Sequence, residues 1–155
     1  MFDDVLDNFI TVVEAITPPT EEDRPWKFQK GTSDKAPKTA AQERRFTLEV
    51  PTRVTVGDYG PMGRDIYLSK TVSVAVAYPL SKKDILATEK QIQRDLDTLI
   101  YQVIKPVNNG NAGYTGVEVD RIVHNDDYEV DVDEDFTFAI VRIPFQVDYR
   151  LTFAA

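Results

Sequence analysis

The clearest pattern of apolar and polar positions lies between Leu80 and Ile104. Ser81 can cap the first turn of a helix there, and Pro106 disfavours helical geometry in the residue before it. The pattern therefore predicts a helix of about twenty residues, roughly 30 Å long, that ends before Pro106. The apolar residues recur at intervals of seven, four, three and four, the spacing of one helix face: Ile85, Ile92, Leu96, Leu99 and Val103.

A second amphipathic helix is predicted at the start of the chain, over residues 2–16. Asp3 and Asp4 fall in its first turn, where the helix dipole favours negative charge. Pro18 and Pro19 end the pattern. The apolar positions recur at three and four: Phe2, Val5, Leu6, Phe9, Val13 and Ile16.

Two stretches before the central helix alternate apolar and polar residues, which is typical of strands with one buried face. The first runs from Phe46 to Val56. Pro51 within it indicates an edge strand or a bulge, because proline cannot donate to a central ladder. The second runs from Ile66 to Tyr78. A glycine-rich turn separates the two, so they are predicted to form a long antiparallel hairpin.

Two further strands are predicted after the central helix. The third begins at Val117 and can extend to Val132 past a turn at Asn125-Asp126. The fourth runs from Phe136 to Phe153. Its apolar positions change parity near Ile140, which requires either a bulge there or a change in which face is covered.

These elements predict an α+β fold: a four-stranded antiparallel sheet, built as β-hairpin, helix, β-hairpin, with the N-terminal helix and the central helix packed on one face. The length suits one domain with a substantial core, so residues 1–155 are interpreted as a single domain. Residues 17–45 are interpreted as a long basic loop or arm, because they are polar, interrupted by proline, and anchored only by Trp26 and Phe28. Loops of this length are usually functional, or become ordered on a partner.

The distribution of charge is more informative than its total of −8. Between Arg24 and Arg45 there are seven basic residues and two acids, a local charge of +5. Between Glu118 and Asp135 there are nine acids and one arginine, a local charge of −8. A net negative chain is a poor match for nucleic acid. Oppositely charged regions can neutralise each other within one fold or between neighbouring copies.

Composition argues against several other classes. The chain contains no cysteine, which removes disulfides and thiolate metal sites. No apolar run approaches the length of a membrane span. The opening, from Met1 to Phe9, is acidic where a signal peptide would be basic. We therefore expect the protein to stay in the cytoplasm where it is made.

Candidate catalytic and binding groups are few. His124 is the only histidine, and it is interpreted as a surface residue at a strand end rather than a catalytic base. The acidic run 126–135 offers carboxylates for Ca²⁺ or Mg²⁺ but lacks the glycine and closing glutamate of an EF-hand loop. A solvated hairpin tip or a charged interface is therefore the preferred interpretation. Trp26 and Phe28 could stack on bases, although such pairs more often pin a loop to its domain. No catalytic residue, metal ligand or cofactor is assigned.

The order of these parts resembles the tail terminator family of long-tailed bacteriophages, small proteins that close the top of the tail tube and join it to the head. The arm at 17–45 departs from the family's pattern. Neck and tail-completion proteins have a similar order of elements. The likeness covers most of the chain: an amphipathic helix from Met1 to Ile16, a variable arm, a long hairpin from Phe46 to Tyr78, a main helix that begins Ser81-Lys-Lys-Asp84, and a closing hairpin whose last strand ends Phe145-Gln-Val-Asp-Tyr-Arg150.

The resemblance implies a structural virion protein with no catalysis and no cofactor. It implies a ring, expected to be a hexamer, whose lumen passes DNA and whose rims contact the tail tube protein and the neck or connector proteins. The protein would be made in the host cytoplasm and located in the virion tail or neck, with no membrane partner. In such a ring the basic arm of one copy is expected to contact the acidic hairpin of the next. The predicted interface residues are Lys27, Lys30, Lys35, Lys38, Arg44, Arg45, Asp131, Asp133, Glu134 and Asp135.

Three alternatives stay open at this point. The chain can be another head-tail connector, neck or tail-completion protein. It can be a small regulatory or ligand-binding α+β domain, which should run as a monomer or dimer. It can also be an enzyme whose site is assembled from residues that no motif marks.

Overall fold

The computed structural model describes residues 2–18, 25–29, 44–50, 55–59, 65–79, 85–108, 119–124, 128–132 and 138–152. The fold class predicted from the sequence, α+β, is confirmed. The described residues form two helices and seven strands, in the order α1 (Phe2–Glu14), β1 (Trp26–Phe28), β2 (Arg44–Glu49), β3 (Thr55–Tyr59), β4 (Asp65–Pro79), α2 (Ile85–Asn108), β5 (Val119–His124), β6 (Glu129–Val132) and β7 (Phe138–Thr152).

The sheet is built around two long strands, β4 and β7. They pair antiparallel along their whole length, from Asp65 opposite Thr152 to Pro79 opposite Phe138. The other side of β4 carries β2 and β3 end to end, and the other side of β7 carries β5 and β6 end to end. β1 lies outside β2 and pairs with it in parallel. The sheet therefore has five strand positions across its width.

Four of these positions correspond to the predicted strands, but the sheet is not simply four-stranded and antiparallel. The predicted first strand divides between β2 and β3, and the predicted third strand divides between β5 and β6. The continuous ladder of β4 and β7 holds all four of these segments. The parallel β1 makes the sheet mixed. Pro51, where a bulge or edge was predicted, lies outside the described residues.

The predicted arm at 17–45 also needs correction where the structure describes it. Residues 26–28 form β1, and Arg44 and Arg45 begin β2. The cause is an apolar contact: Trp26 is only 3% exposed, and its ring packs edge-on against Phe46 at 6.3 Å between centroids. Trp26 therefore pins its segment to the domain and is not available to stack on bases. Residues 19–24 and 30–43 lie outside the described residues.

Helix α2 extends further than its sequence signals predict. It continues through Pro106 to Asn108. Proline removes one N–H donor, but in the last turn of a 24-residue helix this costs a single hydrogen bond. Val103 is fully buried and holds this end of the helix against the core. The predicted cap, Ser81, lies outside the described residues. Neither α1 nor α2, the helices in the described part of the chain, has the length and apolar content needed to cross a membrane.

The pairing of β7 tests the two explanations for the change of parity near Ile140. Each of its residues from Phe138 to Thr152 has one partner on β4, so this ladder contains no bulge. Ala139 and Val141 are buried on the side of the sheet that carries the helices, whereas Ile140 is half-buried on the opposite side. The ladder therefore excludes the predicted bulge near Ile140, and the helix side of β7 stays buried from Ala139 to Tyr149, so the described residues show no change of covered face either.

Both helices pack on one face of the sheet, as predicted. The ring of Phe9 in α1 lies edge-on to that of Phe145 in β7, at 5.6 Å between centroids. This contact joins α1 to the middle of the sheet. Most of the buried core comes from four elements, and Trp26 of β1, Phe46 of β2 and Ile122 of β5 complete it. The four are α1 with Val5, Phe9 and Val13; α2 with Leu96, Leu99 and Val103; β4 with Val72, Val74, Val76 and Tyr78; and β7 with Val141, Ile143, Phe145 and Val147.

Replacing Phe9 by alanine should weaken the attachment of α1 to the sheet. Because Phe9 is fully buried against Phe145, we expect the free energy of unfolding to fall by about 3–5 kcal/mol. Leu86→Ala is the matched control, since Leu86 is 59% exposed, and it should change that free energy by less than about 0.5 kcal/mol. Urea denaturation followed by circular dichroism measures both. Equal losses in the two variants would contradict this placement of α1.

Candidate interaction surface

The two outer edges of the sheet are built differently. At the β1 edge, the amide of Gln29 donates to the Phe46 carbonyl on β2 at 2.8 Å. Alternate amides of a strand point to opposite sides, so the Phe28 amide points away from β2. It donates to the carboxylate of Glu14 at 3.4 Å, and Lys27 Nζ lies 3.5 Å from the same oxygen. Glu14 at the end of α1 therefore covers one outward amide of this edge.

The β6 edge is open in the described part of the chain. β6 pairs with β7 on one side, and no described strand lies on its other side. All four of its residues, Glu129–Val132, are exposed. Exposed strand edges present backbone donors and acceptors that can pair with another chain.

The side chains of β6 divide between the two faces of the sheet. Val130 lies opposite Val141 and Val132 opposite Ala139, both of which are buried on the helix side. Val130 and Val132 are nevertheless each 46% exposed, as is the neighbouring Tyr128. The alternate residues, Glu129 and Asp131, lie on the other face. We call residues 128–132 the β6 edge: it has one apolar side and one acidic side.

The face of the sheet away from the helices carries paired charges. Arg142 Nε donates to Glu49 on β2 at 2.8 Å, and its Nη1 donates to Asp131 on β6. Burial lowers the pKa of the Arg142 guanidinium, but the negative charge of Glu49 and the hydrogen bonds to both acids outweigh burial, so that pKa is raised. One arginine thus joins the second and fifth strand positions across β4 and β7.

A shallow groove of about 390 Å³ opens at the far end of the same long strands. Its carboxylates are ion-paired: Asp148 with Arg121 at 3.3 Å and Asp120 with Arg150 at 3.1 Å. Burial raises the pKa of the Tyr149 phenol, which therefore stays protonated at neutral pH. The lining residues are Tyr67, Leu68, Ser69, Asp120, Arg121, Asp148 and Tyr149.

The sequence did not predict one buried polar pair, which lies between α2 and β4. Asp95 is fully buried, and one of its oxygens accepts a hydrogen bond from the Tyr78 hydroxyl at 2.7 Å. Asp95 falls within the apolar stripe of α2, three residues after Ile92 and four before Leu99. An acid inside such a stripe was therefore a visible signal. The pair fixes α2 on the sheet, since a buried carboxylate requires its partner.

The structure describes four of the ten predicted interface residues. Lys27 and Arg45 lie opposite each other on β1 and β2, and Arg44 begins β2. Asp131 lies on β6, at the other edge of the sheet. The structure therefore does not bring Asp131 together with the predicted basic residues of the interface. Within the subunit, Asp131 instead contacts Arg142. The remaining six lie outside the described residues: Lys30, Lys35, Lys38, Asp133, Glu134 and Asp135.

The other candidate groups are His124 and the acidic run 126–135. His124 is half-buried on β5, and its ring lies edge-on to Phe145 at 5.7 Å between centroids. It is less exposed than the sequence suggested. In the part of the chain that the structure describes, no three acidic or histidine side chains are placed to hold a metal ion. Most of the acidic run 126–135 falls outside that part.

No protein-family model matches the chain, and no curated protein matches it.

Removing the Tyr78 hydroxyl tests the buried pair. Tyr78→Phe leaves the Asp95 carboxylate without this donor, so we expect the free energy of unfolding to fall by about 1–3 kcal/mol. In an Asp95→Leu background, where the carboxylate is absent, the same substitution should have little effect. A double-mutant cycle from urea denaturation measures the coupling. Additive effects of the two substitutions would count against the pair.

Substitutions around Arg142 test the charge network. Arg142→Leu strands Glu49, whose side chain is only 23% exposed, and should lower the free energy of unfolding by about 1–3 kcal/mol. Asp131 is 65% exposed, so Asp131→Asn should cost less than about 1 kcal/mol. Urea denaturation at low and high salt measures both. A larger loss from Asp131→Asn than from Arg142→Leu would show that the network is arranged differently.

Proposed function

We propose that this protein is a phage tail terminator, a structural virion protein whose copies form a ring that caps the tail tube and joins it to the neck. The order of its elements supports this proposal: an N-terminal helix, three outer strand segments, a long strand, the main helix, two further segments and the long last strand. Apart from β1, which lies within the predicted arm, that order is the one on which the resemblance rests.

The placement of charge carries the proposal. Lys27 on β1 and Arg45 on β2 lie towards one edge of the sheet, and Glu129 and Asp131 on β6 lie at the other; within the subunit Lys27 also contacts Glu14 and Asp131 contacts Arg142. The two edges are separated by four strand spacings, roughly 19 Å. A protomer with unlike edges favours a head-to-tail contact, in which the basic edge of one copy meets the acidic edge of the next. Repetition of one such contact builds a ring.

The proposed partners follow from this role. The rims of the ring, expected to be a hexamer, contact the tail tube protein and the neck or connector proteins. DNA passes through the lumen, and the protein performs no reaction. It is made in the host cytoplasm and located in the virion. Another head-tail connector, neck or tail-completion protein would use the same kind of contact and is the alternative within this class.

A ligand-binding domain is the second candidate, and the groove beside Tyr149 supports it. Its volume of about 390 Å³ falls within the range of small-molecule sites. Light scattering distinguishes the two candidates. A terminator should give a mass several times that of the 17.6 kDa protomer, alone or with tail tubes, whereas a ligand-binding domain should give a monomer or dimer.

Reversing two charges in the predicted arm tests the proposed ring. Lys35→Glu with Lys38→Glu should weaken assembly, because the acidic edge of the next copy would then face like charge. The loss should be greatest at low salt and smaller near 1 M, where the Debye length is about 3 Å. Size-exclusion chromatography with light scattering measures ring mass against salt concentration.

The matched control is Lys82→Glu with Lys83→Glu. It changes the net charge equally, outside the arm, and places acid just before α2, where the helix dipole tolerates it. This control should assemble as the native protein does. Unchanged rings in the Lys35 and Lys38 variant at every salt concentration would contradict the proposal.

A further inference from the structure

Strands β1 and β6 lie at the same level at opposite edges of the sheet. One row of register partners crosses all five strand positions, beginning at Phe28 on β1 and ending at Val130 on β6. A copy placed beside another therefore needs no shift along the strands to bring its β1 to the neighbour's β6. The complete row is Phe28, Phe46, Val76, Val141 and Val130.

The backbone groups at the two ends of this row point outward. Gln29 donates to the Phe46 carbonyl, so Phe46 directs its backbone groups towards β1, whereas Phe28 directs its own away from β2. Phe46 and Val76 are therefore a non-hydrogen-bonded pair, and the next pair along the row, between β4 and β7, is hydrogen-bonded. The alternation leaves Val130 with its backbone groups directed away from β7. Phe28 of one copy and Val130 of another can thus exchange two hydrogen bonds.

The directions of the two strands also match. β1 runs parallel to β2, and each further step across the sheet to β6 is antiparallel. β1 and β6 therefore run in opposite directions within one copy. Copies related by rotation about an axis along the strands would bring them together as an antiparallel pair.

The side chains at the two edges are complementary on both faces of the sheet. On the helix side, the rings of β1 pack on Phe46, and the valines of β6 are each 46% exposed. On the other side, Lys27 is 53% exposed and Asp131 is 65% exposed. Antiparallel pairing places apolar residues together on one face and opposite charges together on the other. The facing pairs are Trp26 with Val132, Lys27 with Asp131, Phe28 with Val130, and Gln29 with Glu129.

Glu14 occupies part of the position that the neighbour would take beside β1. Its carboxylate accepts the Phe28 amide at 3.4 Å, longer than an ordinary hydrogen bond, and lies 3.5 Å from Lys27 Nζ. The carbonyl of Val130 can replace the first contact and the carboxylate of Asp131 the second. Pairing therefore exchanges the contacts of Glu14 for equivalent ones from the next copy.

We propose that β6 of one copy pairs antiparallel with β1 of the next, so that neighbouring sheets join into one continuous wall. This inference rests on the proposed ring and names the contact that holds it together. Each copy uses β1 once and β6 once. Because the two edges are level, repetition of the contact adds no rise along the strands, which is the condition for a closed ring rather than a filament.

Two cysteines on one chain test this contact, because the native chain has no cysteine. The positions changed in Gln29→Cys with Glu129→Cys lie at opposite edges of the sheet, too far apart for a disulfide within one copy. In the proposed pairing they face each other between copies, as a non-hydrogen-bonded pair with close side chains. Mild oxidation should give a ladder of disulfide-linked oligomers on a denaturing gel, ending at the size of the ring. Reduction should return it to the monomer.

The matched control is Gln29→Cys with Lys90→Cys, since Lys90 is exposed on α2. It should give no ladder. Lys27→Cys with Asp131→Cys traps the same register at the neighbouring pair on that face, so that one unfavourable geometry cannot hide the contact. If neither pair of cysteines exceeds the control, the pairing of β1 with β6 is wrong.

Mass spectrometry of the oxidised Gln29→Cys, Glu129→Cys variant identifies the joined positions. Linkage of position 29 to position 129 supports the pairing, whereas linkage of each position only to itself shows a two-fold contact and overturns it. Rings seen by light scattering without either ladder would overturn the pairing and leave the terminator proposal standing. A ladder from rings that do not bind tail tubes would support the pairing and contradict the terminator.

Discussion

The fold depends on the burial of one face of the paired strands β4 and β7. They form an uninterrupted fifteen-residue ladder, and their alternate apolar residues create a face that neither strand can cover. Helices α1 and α2, from distant parts of the chain, cover it together. Because this central pair supplies both ladder and core, the outer strands can be as short as three residues and still be held in register.

The face of the sheet away from the helices carries paired charges instead of an apolar core. Arg142 donates hydrogen bonds to both Glu49 and Asp131 across the sheet, and Arg121 pairs with Asp148. Ion pairs left half-exposed avoid most of the desolvation cost that full burial would impose. This face is therefore unsuited to forming a second core.

Sequence patterns predicted the elements that are long enough to repeat the helix spacing or the strand alternation several times: α1, α2, β4 and β7. They missed β1, since three residues give no alternation and its strand state depends on the contact between Trp26 and the distant Phe46. They also missed the role of Arg142, because its partners are set by strand register, which composition does not reveal. The acids of β6 are evident in the sequence, whereas the importance of the alternating Val130 and Val132 is not. Only the topology shows that these valines lie at an edge.

The arrangement of the edges favours unlike contacts over two-fold ones. A two-fold contact through β6 opposes acid with acid, and one through β1 opposes Lys27 with Lys27 at an edge where Glu14 already covers one amide. Joining unlike edges pairs opposite charges, and its repetition gives a closed ring or an open filament according to the rotation between copies. Strand twist of about 20–25° per position accumulates to roughly 80–100° from β1 to β6. In the proposed ring, this twist would set the angle between the two edges that each copy presents to its neighbours.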